Sequence, residues 1–308
     1  MKYLKLIRYQ NLLMLALMQF IFRYGFLKQQ NVDLALADWQ YVLFVLSTVC
    51  IAAGGYIINN IFDFKTDWDN KPEDVIIGKS ITEGFAYNLY TGFTFVGVAI
   101  GFYISNVIQK PGFAALFIVI AATLYLYATS LKQSLLIGNI IVALLLSFSV
   151  IIIGIFDLYP ATYEGNKPLM GLLFSILLDY AIFTFIINFI REIVKDLEDV
   201  NGDYNQGMNT LPIAFGVKRT TTLVFTLSFL PIICLIYYIN FYLFDSGLVL
   251  STIYGLIFIL APLIYFTIKI WSATKQNDFR HLSLVLKWVL FFGIFSIAII
   301  SYNMRHHA

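Results

Sequence analysis

The chain has 308 residues, of which 60% are hydrophobic and only 12% charged, with a formal net charge of +2. A water-soluble domain carries about twice that share of charged residues, so a soluble globular fold is excluded. The few basic residues are scattered without a patch, which excludes nucleic acid as a partner.

In chain order, hydropathy predicts about nine membrane spans, at roughly 7–27, 40–62, 82–106, 112–130, 138–157, 170–190, 220–243, 247–271 and 284–303. Each approaches the length needed to cross a bilayer core. The apolar runs are continuous rather than alternating, so the spans are helices and not barrel strands. The expectation is an all-α polytopic membrane protein, a single domain over 1–308. The charged start Met1-Lys2-Tyr3-Leu4-Lys5 is like that of a signal peptide. No small-x-small cleavage site precedes Arg23, so the first apolar run is read as a retained span. Lysines and arginines divide fifteen to five between the two sides. The positive-inside rule then places the N-terminus in the cytoplasm, in a cell (plasma) membrane, and the C-terminus outside. Cys50 and Cys234 fall inside spans and read as small buried hydrophobes.

Two acidic clusters stand at the ends of the second and sixth spans, on the cytoplasmic side. Asn59, Asp63 and Asp67 are spaced by four and share one helix face. Glu192, Asp196, Asp199 and Asp203 follow at four, three and four, and Gly202 reads as a helix stop. Like charges at this spacing repel, and the C-terminal end of a helix disfavours anions. Such stripes call for a cation. Mg²⁺ suits them, because it takes one or two carboxylates and completes its shell with water and phosphate. A solvated charged loop and an ion or proton pathway are the competing readings; the latter favours acids deep within spans. Asp179 is the main acid found there, as a structural group or a cavity edge. A transition-metal site is not supported, because no Cys/His spacing motif is present.

With these residues in view, the chain resembles the UbiA superfamily of membrane prenyltransferases. The first cluster, NNIFDFKTD from Asn59 to Asp67, resembles that family's N-D-x-x-D-x-x-x-D motif, with Asn60 where the family often has Asp. Asn70-Lys71-Pro72 and Ile77-Gly78-Lys79-Ser80-Ile81 resemble the segments that follow it. The second cluster, REIVKDLEDVNGD from Arg191, and the later Thr210-Leu211-Pro212 look most like the branch that geranylgeranylates geranylgeranylglyceryl phosphate. Tyr125 and Tyr127 with Leu131-Lys132 and Gly138-Asn139 resemble a stretch after the fourth helix; Gln133 replaces its following Arg. Arg8 and Asn11 resemble an N-terminal R-P-x-N, with Tyr9 in place of Pro.

The resemblance implies a bundle around a lipid-open cavity under a cytoplasmic cap. It also implies Mg²⁺-dependent transfer of a prenyl group from a prenyl diphosphate, geranylgeranyl diphosphate in this branch, to a lipophilic acceptor within membrane lipid. Asn59, Asp63, Asp67, Asp196, Asp199 and Asp203 are the expected metal ligands. Asp63, Asp67, Asp196, Asp199 and Lys132 are the expected catalytic residues. Arg8, Asn11, Asn60, Lys71, Tyr125, Tyr127, Lys195 and Asp203 are the expected substrate contacts. Should the acceptor carry its own phosphate, Lys65, Lys71, Lys79, Lys218 and Arg219 are available, although each is better suited to a headgroup or topology charge. An aromatic acceptor of quinone, haem or pigment synthesis, and an ion-coupled transporter, remain open at this point.

Overall fold

The computed structural model describes residues 2–70, 72–73 and 75–306. Lys71, expected to contact substrate, lies outside the described residues. The first expected span is α1, residues 9–30, which is α-helical over Tyr9–Phe20, π-helical over Ile21–Phe26 and 3-10 over Leu27–Gln30. Eight further helices among the described residues are long and apolar enough to cross a membrane. They are α2 (Asp38–Phe62), α3 (Glu83–Val107), α4 (Pro111–Thr129), α5 (Ile137–Ala161), α6 (Lys167–Asn205), α7 (Val217–Phe244), α8 (Val249–Ile270) and α9 (Gln276–His306). Their side chains are apolar nearly all round, as expected of helices that face lipid on one side and each other on the other.

Neighbours in sequence pack as antiparallel pairs, α2 on α3 and α5 on α6, and α9 returns against both α1 and α6. One apolar core joins α1, α2, α3, α4 and α5 with the first half of α6. A second joins the last half of α6 with α7, α8 and α9. Helix α6 therefore belongs to both halves, and the α1–α9 contact closes the ring.

At the end where α2 begins, a buried ion pair pins the bundle. Arg23 is 1% exposed and Asp157 is fully buried. Arg23 Nη1 donates to Asp157 Oδ2 at 2.7 Å, and the Leu36 amide donates to Asp157 Oδ1 at 3.0 Å. The guanidinium also donates to the Leu36 carbonyl and lies 4.3 Å from the centre of the Tyr41 ring. Among acids inside the spans the sequence reading singled out Asp179, so it missed this pair. The pair ties the α1–α2 connection to the end of α5, which are distant in sequence.

Helix α6 departs furthest from expectation. It runs for 39 residues, about 58 Å of helix rise and nearly twice the thickness of a hydrocarbon core. Its acidic end is therefore a continuous rod projecting past the apolar span, not a loop. Gly202 is no helix stop: the helix continues to Asn205, and the left-handed turn comes at Gly207, with φ +68°.

Candidate active site

Both acidic clusters lie at the end of the bundle opposite the Arg23–Asp157 pair, since Asp38 and Asp63 stand at the two ends of α2. The first stripe survives a break in the chain. Helix α2 ends at Phe62, and a short helix, Phe64–Asn70, begins after Asp63. The amide of Asp63 still donates to the Asn59 carbonyl at 2.8 Å, and that of Asp67 to the Asp63 carbonyl at 2.8 Å. The four-residue register is thus carried across the kink.

The two stripes are brought together by a side chain outside both expected ligand sets. Asn70 Nδ2 donates to the Asp199 carbonyl at 3.0 Å, and the Gly202 amide donates to Asn70 Oδ1 at 2.9 Å. A Cβ on Gly202 would stand 2.3 Å from Asn70 Nδ2. Glycine here is a matter of space: it lets the short helix lie directly on α6. Asn205 and Gln206 donate to Asp69 at 3.4 and 3.3 Å and extend the seam.

A third element closes over the acids. The turn after α4 carries Lys132, whose ammonium donates to Asp63 Oδ1, while Asn59 Nδ2 donates to Asp63 Oδ2. Burial pushes Lys132 down to about 8, against the upward pull of Asp203. The turn fits because Gly138, at the start of α5, leaves room for it; a Cβ there would lie 2.8 Å from Lys132 Cα. The neighbouring Asn139 donates to Asp196 Oδ2 at 2.8 Å. The Gly-Asn pair thus places the lysine with one residue and holds an acid with the other.

The N-terminal segment completes the cluster. Arg8 has a left-handed backbone, φ 49° and ψ 53°, and Leu136 in the Lys132 turn is also left-handed, with φ 61°. Such non-glycine conformations cost on the order of 1–3 kcal/mol each and persist where surrounding contacts impose them. Arg8 lies 5.4 Å from the Tyr56 ring centre. Lys195 donates to Glu192 Oε1 at 2.5 Å. Tyr127 is within electrostatic reach of Glu192, Asp196, Asp203 and Arg8.

The remaining expected residues lie around this cluster with partners of their own. Asn60 donates to the Leu6 carbonyl at 2.8 Å and anchors the N-terminal segment. Tyr125 is 41% exposed and stacks on Tyr90, with ring centres 6.3 Å apart. Asn11 accepts from Lys287 Nζ at 2.9 Å. Lys65, Lys218 and Arg219 are exposed, and Lys79 is held by the Pro72 carbonyl at 2.6 Å.

Below the stripes a cavity of about 600 Å³ falls within the roughly 300–1,000 Å³ typical of ligand sites. Asn11, Tyr56, Arg191 and Lys287 line its polar end. Its walls are otherwise mostly apolar and reach down to Tyr180 and Ile300. Ile233 and Tyr237 of α7, 63% and 55% exposed, are also among its lining. The cavity therefore opens sideways, towards lipid. Asp179 sits on its edge. Sequence reasoning gave Lys287 no place in the site: it is one cation in an apolar run, and nothing local marks it as facing inward.

The residues fit a hard divalent cation. Asn59 Oδ1 is buried and accepts no hydrogen bond among the described residues, so a carbonyl oxygen is left over beside Asp63. No three His, Cys, Asp or Glu residues among those described are already gathered at metal distance. The free Asn59 oxygen beside Asp63 suits Mg²⁺, which binds through one or two carboxylates and leaves positions for phosphate oxygens.

Residues 16–300 match the model of the UbiA prenyltransferase family. A digeranylgeranylglyceryl phosphate synthase of Sulfolobus acidocaldarius is 34% identical over 224 residues, covering 71% of this chain and 70% of that protein. The Methanobrevibacter smithii protein of the same name is 30% identical over 263 residues, 84% of this chain and 89% of its own. A solved digeranylgeranylglyceryl phosphate synthase structure covers 97% of each chain at TM-score 0.64 and 21% identity. A UbiA homolog from Archaeoglobus fulgidus bound to DMAPP and Mg²⁺ superposes at TM-score 0.61 and 17% identity, over 96% of this chain and 99% of that one. At such identities the structural likenesses establish the shared fold.

Proposed function

The chain belongs to the UbiA prenyltransferase family, and from that premise we propose that it transfers a geranylgeranyl group from geranylgeranyl diphosphate to geranylgeranylglyceryl phosphate. The observation that carries this reading is the convergence of both acidic stripes and Lys132 above a cavity that opens to lipid. The relatives named for that product supply the acceptor.

Asn59, Asp63 and Asp67 on one side, and Asp196, Asp199 and Asp203 on the other, would hold Mg²⁺. When bound, the metal neutralises charge on the leaving diphosphate. Lys132, Lys195 and Arg8 add fixed positive charge around the same oxygens, which lowers the barrier because negative charge on those oxygens grows as the reaction proceeds. The allylic C–O bond of the donor breaks, and its electron pair leaves with the diphosphate. The acceptor hydroxyl oxygen bonds to the freed carbon, and an acidic residue of the stripes takes its proton. Tyr127, next to the acids, presents a ring to the cation-like carbon. The prenyl tails lie along the apolar cavity and reach the membrane beside the exposed Ile233 and Tyr237 of α7. In this reading 1–308 is a single domain with a cytoplasmic N-terminus, in the cell membrane, and the acids face the cytoplasm.

The test uses purified protein, Mg²⁺ and radiolabelled geranylgeranyl diphosphate, offered geranylgeranylglyceryl phosphate or, separately, aromatic quinone precursors. Product with the glyceryl phosphate is expected. Product with an aromatic acceptor alone would keep the chemistry and replace the acceptor. Ion flux without diphosphate turnover would sink the enzymatic reading.

A further inference from the structure

Lys287 is the twelfth residue of α9, about 16 Å of helix rise from Gln276. Its ammonium donates to the neutral Asn11 Oδ1 at 2.9 Å. Two other cations, Arg191 and Arg8, lie close enough to act on it. Arg191 lines the same cavity end and is 18% exposed. Its Nε donates to the Ser283 carbonyl at 3.2 Å, and Nη1 lies 3.7 Å from Glu192. That carboxylate is also acted on by Lys195 and Arg8. Among the described residues, Lys287 is therefore held at the cavity's polar end by a neutral amide alone, inside a membrane protein where each charge is costly to bury without a counter-ion. The expected compensation is an anionic ligand.

We propose that Arg191 and Lys287 seat the phosphate monoester of the acceptor lipid, apart from the place where the donor's diphosphate binds; this rests on the reading that the acceptor is a phosphorylated lipid. The spacing supports two seats. Asp196 is five residues beyond Arg191 on one continuous helix, which separates them by about 7.5 Å along the axis. The reacting carbon and the attacking hydroxyl fit between, with the leaving diphosphate at the acids and the acceptor's phosphate on the deeper cations. Arg191 offers a planar fork for phosphate oxygens and Lys287 a point charge. The surface lysines singled out in the sequence, Lys65, Lys79 and Lys218, do not line this cavity.

The experiment measures direct binding of geranylgeranylglyceryl phosphate, and of the same ether lacking its phosphate, to the full-length protein in nanodiscs without donor, together with KM for each substrate. Arg191→Gln and Lys287→Gln are expected to weaken binding and raise KM of the phosphorylated acceptor roughly ten- to a hundredfold. Binding of the dephosphorylated ether and KM for geranylgeranyl diphosphate stay unchanged, and Lys287→Arg recovers most of the loss. A rise in KM for the diphosphate with acceptor binding intact would assign the cations to the donor and overturn the proposal. Equal binding of the two ethers by the unaltered protein overturns it without any variant. Binding that depends on Lys287 and on the phosphate, but without transfer, would uphold the seat and remove the acceptor assigned above.

Discussion

Gly202→Ala is expected to change sign with its neighbour. In a helix interior, alanine is more favourable than glycine by about 1 kcal/mol, so by local propensity the substitution should stabilise α6. The structure opposes this, because the new Cβ would lie 2.3 Å from Asn70 Nδ2 and 2.5 Å from Asn70 Cγ. Asn70 must withdraw and give up its bonds to the Asp199 carbonyl and the Gly202 amide, each worth about 1 kcal/mol. The net is a loss of about 1 kcal/mol for Gly202→Ala alone and about 2 kcal/mol for Asn70→Ala alone. In the Asn70→Ala background, Gly202→Ala becomes favourable by about 1 kcal/mol, so the double-mutant cycle shows a coupling of about 2 kcal/mol. Thermal unfolding in detergent reads this as a Tm shift of about 2–4 °C per kcal/mol. Transfer at limiting Mg²⁺ should fall with each single variant, because Asp67 loses its register against Asp199 and Asp203. A Gly202→Ala protein with higher Tm and full transfer in the otherwise native background would refute the contact as the reason for glycine.

Three further outcomes are expected. Because burial holds Lys132 at about 8, its ammonium is present below that pH and lost above it; transfer should decline as pH rises through about 8. Lys132→Arg, whose guanidinium stays charged, should remove that limb of the pH–rate profile, and a flat native profile from neutral to alkaline pH contradicts the assignment. Gly138→Ala, with its Cβ 2.8 Å from Lys132 Cα, should shift the lysine and cut kcat by up to about a hundredfold while the protein remains folded, as steady-state kinetics on monodisperse protein will show. Asp157→Ala leaves Arg23 buried without its strongest partner and should cost about 3–5 kcal/mol. This site lies about 36 Å of helix from Asp63, so KM for both substrates should be unaffected; a KM change would mean the two ends are coupled.

Much of the architecture was legible from local pattern. Long apolar runs specify helices because lipid offers no partner to unpaired backbone groups. Acids spaced by four mark a helix face whether or not the helix is continuous, which is why the Asn59–Asp63–Asp67 stripe was readable despite the break after Phe62. The reading of Gly202 failed for a general reason. Glycine serves both as a helix stop and as a point of close approach, and only the position of Asn70, 132 residues away, distinguishes them.

The sequence by itself determined the membrane class, the span order and both acidic stripes, since hydropathy and helical periodicity act over a few turns of one segment. Tertiary structure decided which distant side chains meet: Asn139 with Asp196, Lys132 with Asp63, Asn11 with Lys287, and Arg23 with Asp157. Each pair joins different helices. Their meeting depends on how the bundle closes, and on which face of a nearly uniformly apolar helix turns inward. That rotation is set by packing against neighbours rather than by amphipathic contrast, so a lone Lys287 or Arg23 gives no local sign of where it points.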